Sequence, residues 1–122
     1  MTYLARDWTD ADVPALGMGC WAIGGPFSFE GSEKGWGPAD DTVSKAAIVA
    51  AFEAGLRVFD TAQAYGAGHS EALLGEVLGP RPEARIVTKV GLGIDPAHRT
   101  LTGLVTDPAA LARGLDASLK RL

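Results

Sequence analysis

The chain has 122 residues, a net charge of −4, and hydrophobic and charged fractions of 47% and 21%. That is the size and balance of a single domain, residues 1–122, with a modest core. The acidic balance excludes a phosphate-backbone binder, which needs clustered Lys and Arg, so no nucleic-acid partner is expected.

In chain order, the start Met1-Thr2-Tyr3-Leu4-Ala5-Arg6-Asp7 has no apolar stretch of the kind that marks a secretory signal. Nowhere does an apolar run approach the roughly 20 residues of a membrane span. Ala15 to Ile23 is a glycine-interrupted apolar run and predicts a strand. Cys20, within it, is the chain's single cysteine, so no internal disulfide forms and a cytoplasmic protein away from membranes is expected. Gly24 to Asp40 predicts a long loop, and its aromatics Phe27, Phe29 and Trp36 favour a functional loop over a linker.

A helix is predicted over Thr42 to Ala54, with Asp41 as N-cap, Val43, Ala47, Ala50 and Ala54 as the apolar stripe, and Gly55 as the stop. Leu56 to Phe59 predicts a short strand. The next helix begins at Ser70 as N-cap, buries Leu73, Leu74, Val77 and Leu78, and ends at Gly79-Pro80. Ile86 to Val90 is a further strand. Asp107-Pro108 opens the last helix as N-cap and first helical residue, with Leu111, Leu115, Leu119 and Leu122 as its stripe. Strands alternating with helices imply parallel βαβ units. The fold class is therefore α/β, with about three βα units where a closed (β/α)8 barrel has eight. The leucine stripe runs to the last residue without a stop signal, so the pattern reads as interrupted. An open sheet edge would then favour self-association.

Two residues are costly unless they do something. Lys89 lies among apolar neighbours in Ile86-Val87-Thr88-Lys89-Val90, so its ammonium needs a partner or a depressed pKa. Asp60 ends Arg57-Val58-Phe59-Asp60, where a parallel sheet opens onto its ligand-binding edge. Strand ends of successive βα units share one face, so the two can meet, either as a structural salt bridge or as part of a site. Tyr65 follows on the loop above the same strand. A phenol ordinarily releases its proton near pH ~10, too high for efficient acid catalysis at neutral pH. A nearby ammonium, itself held by a carboxylate, lowers that value. Tyr65, Lys89 and Asp60 thus form a candidate proton donor, tuner and orienter.

The stretch Gly55-Leu56-Arg57-Val58-Phe59-Asp60-Thr61-Ala62-Gln63-Ala64-Tyr65-Gly66, continuing Ala67-Gly68-His69-Ser70-Glu71, resembles the aldo-keto reductase signature. Leu16-Gly17-Met18-Gly19-Cys20-Trp21 is similar to that family's first strand, and Ile86-Val87-Thr88-Lys89-Val90-Gly91 to its third. Gly35-Trp36-Gly37 before Asp40-Asp41 is similar to bacterial-type members. The resemblance implies a partial (β/α)8 TIM barrel that reduces an aldehyde or ketone, a small-molecule carbonyl, with hydride from NADPH. It implies Tyr65 as general acid, Lys89 and Asp60 as its tuning pair, and Gly19, Cys20, Trp21 and Asp60 beside the nicotinamide. Trp21 also fits core or substrate-pocket lining, and Cys20 also fits a small buried role. The family's histidine comes from a fourth strand, a place that neither His69 nor His98 occupies. Gly17 and Gly19 do not make a Rossmann fingerprint, and no metal site is expected. Chemistry held in half a site leaves three readings open: a reductase of which this is the inactive N-terminal part, a binding subunit like the potassium-channel β-subunits, or a non-functional remnant.

Overall fold

The computed structural model describes residues 16–122. The reading of the chain start, and Ala15 as the opening of the first strand, lie outside the described residues.

Three short parallel strands, β1 (Met18–Gly19), β4 (Val58–Asp60) and β5 (Arg85–Val87), form a sheet in the order β1-β4-β5. Met18 pairs with Phe59 and Gly19 with Asp60, while Asp60 pairs onward with Val87. Helix α1 (Asp41–Glu53) connects β1 to β4, and α2 (His69–Leu78) connects β4 to β5. Helix α3 (Pro108–Arg121) completes the third unit. The architecture is that of part of a (β/α)8 barrel, with β1 and β5 at the edges of the sheet.

The core lies between this sheet and the helices: Cys20, Ile23, Ile48, Phe59, Leu73, Leu74 and Leu78. The stripe predicted for α2 is buried as expected, with Val77 packed at its margin. The stripe predicted for α1 is wrong. Val43 is 68% exposed, and α1 turns inward the face of Ser44 and Ile48, with Ala51 and Phe52 packed against the core. Burying one isoleucine and one phenylalanine removes more apolar area than burying the alanines, so the larger side chains set the rotation.

Caps also moved. Asp40, not Asp41, is the N-cap of α1, its carboxylate accepting from the Val43 amide at 2.9 Å. Helix α2 starts at His69 behind Gly68, and Ser70 is not its cap. Asp107 caps α3 as predicted, with Pro108 in the first turn.

The expected loop between Gly24 and Asp40 contains a hairpin, β2 (Phe27–Phe29) with β3 (Ser32–Lys34). A second hairpin, β6 (Leu92–Asp95) with β7 (Thr100–Leu104), follows Lys89. The two join through a parallel pairing of Ser28 with Thr100 and Phe29 with Leu101. Ser28 and Thr100 share a hydroxyl–hydroxyl bond of 2.7 Å, and Arg99 donates to the Gly24 carbonyl at 2.8 Å. The segments after β1 and after β5 are thereby tied into one four-stranded sheet.

Candidate active site

The C-terminal ends of β1, β4 and β5 lie side by side. Cys20 donates its amide to the Asp60 carbonyl at 2.8 Å, and Thr61 donates to the Val87 carbonyl at 2.7 Å. Strand β5 ends at Val87, so Lys89 sits just beyond it rather than inside it. Its ammonium donates to Asp60 Oδ1 at 2.7 Å and to the Thr61 carbonyl at 2.9 Å. The predicted need for a partner is met, and the alternative of a depressed pKa is not. Partial burial, the largest single influence, pulls the Lys89 pKa down, but the Asp60 hydrogen bond and charge, with Tyr65 adding in the same direction, raise it above the ordinary value.

Tyr65 lies above this pair, on the turn that leads into α2. The Lys89 ammonium stands 5.3 Å from the centre of its ring. The Tyr65 amide donates to the Ala62 carbonyl and its carbonyl accepts from the Ser70 amide, so the turn is fixed at both ends. On its other side the turn touches the 3-10 segment Ala22–Gly24. A Cβ on Gly24 would sit 2.8 Å from the Tyr65 carbonyl carbon, and one on Gly66 would overlap the Gly24 carbonyl. Two glycines thus permit backbone-to-backbone contact that holds Tyr65 against the segment following β1.

That segment carries Trp21, whose ring stacks on Tyr65 at 5.6 Å and 14°. Trp36, from the stretch between β3 and α1, meets Trp21 edge-on at 5.9 Å. The result is an aromatic wall beside the polar trio, next to a hollow of about 170 Å³ lined by Tyr65, Lys89, Ala62, Val90 and Leu92. Gly19 is open: a Cβ there would meet nothing within 4 Å. Cys20 differs from the other residues singled out at the end of β1. Its side chain is fully buried, its thiol donates toward the Met18 carbonyl at 3.5 Å, and its own carbonyl accepts from Ser70. Burial, with the Asp60 charge adding and Lys89 opposing, pushes the thiol pKa up to about 12. Cys20 therefore supports the site from behind and offers no polar atom to a ligand.

The histidines stay outside the cluster. His69 pairs with Asp41 at 2.7 Å, tying the first turns of α1 and α2 together, and His98 pairs with Asp95 at 2.7 Å in the β6–β7 turn. Among the described residues no group of three His, Cys, Asp or Glu could hold a metal ion. Sequence reasoning passed over Gln63, whose side-chain amide donates to the Leu92 carbonyl and anchors the second hairpin beneath Tyr65. It also passed over Glu71 and Thr88, ordinary polar residues in motif and strand, and read Ser70 only as a cap; Ser70 and Glu71 are fully buried and Thr88 half-buried.

Residues 15–122 match the Aldo/keto reductase family. The chain belongs to that family. The Bacillus subtilis aldo-keto reductase YhdN is 35% identical over 95 residues, which are 75% of this chain and 26% of the relative. Among solved structures, aldo-keto reductase AKR11C1 from Bacillus halodurans superposes with a TM-score of 0.69 at 27% identity, covering 94% of this chain and 34% of that one. An aldo-keto reductase from Klebsiella pneumoniae solved in complex with NADPH gives a TM-score of 0.61 at 29% identity, covering 89% and 31%. This aldo-keto reductase chain thus spans about a quarter of the length of the curated relative it matches. In both solved neighbours it spans about a third.

Proposed function

We propose that this chain supplies the proton-donor side of an NADPH-dependent reductase that converts a small aldehyde or ketone to an alcohol. Tyr65 acts as general acid, giving its hydroxyl proton to the carbonyl oxygen as charge develops there. Lys89 stays an ammonium at neutral pH, orients that proton transfer and stabilises the phenolate left behind. Asp60 holds Lys89 in place. The observation that carries this reading is a single ammonium bonded to Asp60 at 2.7 Å while standing 5.3 Å from the Tyr65 ring, at the open ends of parallel strands.

NADPH, when bound, supplies the hydride. The residues fit a flat ring there: Gly19 leaves the end of β1 uncovered, Trp21 is partly exposed beside it, and Asp60 borders the same edge. Trp21 and Trp36 offer an apolar face against which the carbonyl substrate is held and water is kept out. We place the protein in the cytoplasm; no helix among the described residues is long and apolar enough to cross a membrane.

The chain alone should be inactive, because the relatives' remaining strands are not among its residues. Grafting it in place of the matching part of the Bacillus subtilis relative, and following NADPH oxidation with a panel of aldehydes, tests the reading. The chimaera should turn over, and Tyr65→Phe should slow it on the order of 10²–10⁴-fold, the usual worth of a positioned acid. An undiminished rate in Tyr65→Phe would remove Tyr65 from the chemistry.

A further inference from the structure

One fully buried carboxylate lies outside the trio. Glu71, in the first turn of α2, is 0% exposed. Its Oε1 accepts from the Thr88 hydroxyl at 2.5 Å and its Oε2 from Arg121 Nε at 2.7 Å. A carboxylate taken from water without partners costs several kcal/mol, so it persists only where its oxygens are satisfied. Ser70 beside it donates to the Cys20 carbonyl at 2.7 Å and shares a bond of 2.9 Å with the Thr61 hydroxyl. Two consecutive side chains thus reach Cys20, Thr61 and Thr88, just past the ends of β1, β4 and β5 and each next in sequence to Trp21, Asp60 or Lys89.

Thr88 is the residue before Lys89, and successive side chains of an extended segment leave on opposite sides. When Thr88 is fixed inward by Glu71, Lys89 is turned outward to Asp60. Arg121 is the countercharge, so the docking of α3 on α2 is part of the same device. Gly75 makes that docking close: a Cβ there would overlap the Arg121 carbonyl.

We propose that Glu71 is a positioning residue for Lys89, acting through the Thr88 hydroxyl and itself held in place by Arg121. The inference rests on the catalytic reading of Lys89. Its readout is therefore the state of the Lys89 amine rather than turnover, so each can fail without the other.

The test uses the full 122-residue chain. A short pulse of an acetylating N-hydroxysuccinimide ester at mildly alkaline pH, read by peptide mass spectrometry, gives Lys89 acetylation relative to Lys120. An ammonium clamped by Asp60 and the Thr61 carbonyl reacts slowly, because only the free amine is nucleophilic. Glu71→Gln and Thr88→Val should each raise the ratio about threefold as the clamp loosens, and Thr88→Ser, which restores the hydroxyl, should return it to the wild-type value. Leu78→Ala, a core truncation with no bond to this cluster, should leave it unchanged. The proposal is overturned if Thr88→Val leaves the ratio at the wild-type value, or if Leu78→Ala raises it as much. Should Glu71→Gln fail to fold, Thr88→Val and Thr88→Ser decide the matter by themselves.

Discussion

Among the carboxylate–cation pairs that link neighbouring βα units, Asp60 with Lys89 and Glu71 with Arg121 share a separation of 2.7 Å and differ in their surroundings. In the first, both side chains are about half exposed, 48% and 50%; in the second, Glu71 is wholly buried and Arg121 is 20% exposed. Water screens the first pair and leaves it reachable, so it adds little to stability and can meet a ligand. The second pair is desolvated and enclosed, so it meets nothing and instead fixes how α2, α3 and the end of β5 sit together. Identical geometry therefore serves different ends, and the surroundings decide which.

The largest effect should come from breaking the enclosed pair. Glu71→Ala strands the Arg121 guanidinium and should cost about 3–5 kcal/mol in urea unfolding, the usual penalty for orphaning one member of a buried pair. Replacing both partners with leucine should recover much of that loss, because no charge is then left unpaired. A Glu71→Ala loss below about 1 kcal/mol would place this pair with ordinary surface ion pairs and erase the contrast. A smaller effect, about 1–3 kcal/mol, is expected from Gly75→Ala, whose methyl would overlap the Arg121 carbonyl and force α3 away. Hydrogen exchange should then speed up in α3 while the β1-β4-β5 ladder keeps its protection.

The exposed pair was legible in the sequence and the buried one was not. Asp60 and Lys89 announce themselves because a charge at a strand end, among apolar neighbours, demands an explanation. Glu71 does not, because an acidic residue in the first turn of a helix is what the helix dipole favours anyway. Helix α2 was legible for a related reason: Leu73, Leu74 and Leu78 recur on one face and are all buried. Helix α3 shows the opposite outcome. Its leucines repeat cleanly, yet Leu115 is 47% and Leu119 65% exposed, while Ser118 is buried beneath Arg121. The salt bridge and the close approach at Gly75 choose the docking face, and neither is visible in hydrophobic spacing. The two hairpins were missed because their strands are only three to five residues long, and because Ser28 meets Thr100 only through a pairing 72 residues apart in sequence.

The smallest stability effect should be that of Asp60→Asn, and it separates the two pairs most sharply. At neutral pH the substitution should cost no more than about 1 kcal/mol, since both partners are half in water. Its pH dependence carries the sign. Lys89 binds its proton more tightly in the folded chain than at the ordinary value of 10.5. The Asp60 contact therefore contributes its full stability below that value and loses it as pH rises through the higher folded value. Wild type should exceed Asp60→Asn slightly at neutral pH, and the gap should close above about pH 10.5. Urea midpoints measured across that range check this, and a gap that widens with pH would contradict it. In the chimaera the same substitution should reduce turnover far more than it reduces stability, because a loosened Lys89 no longer holds its charge beside Tyr65. Glu71→Ala should do the reverse in proportion, with most of its effect on folding, since Glu71 reaches the chemistry only through Thr88.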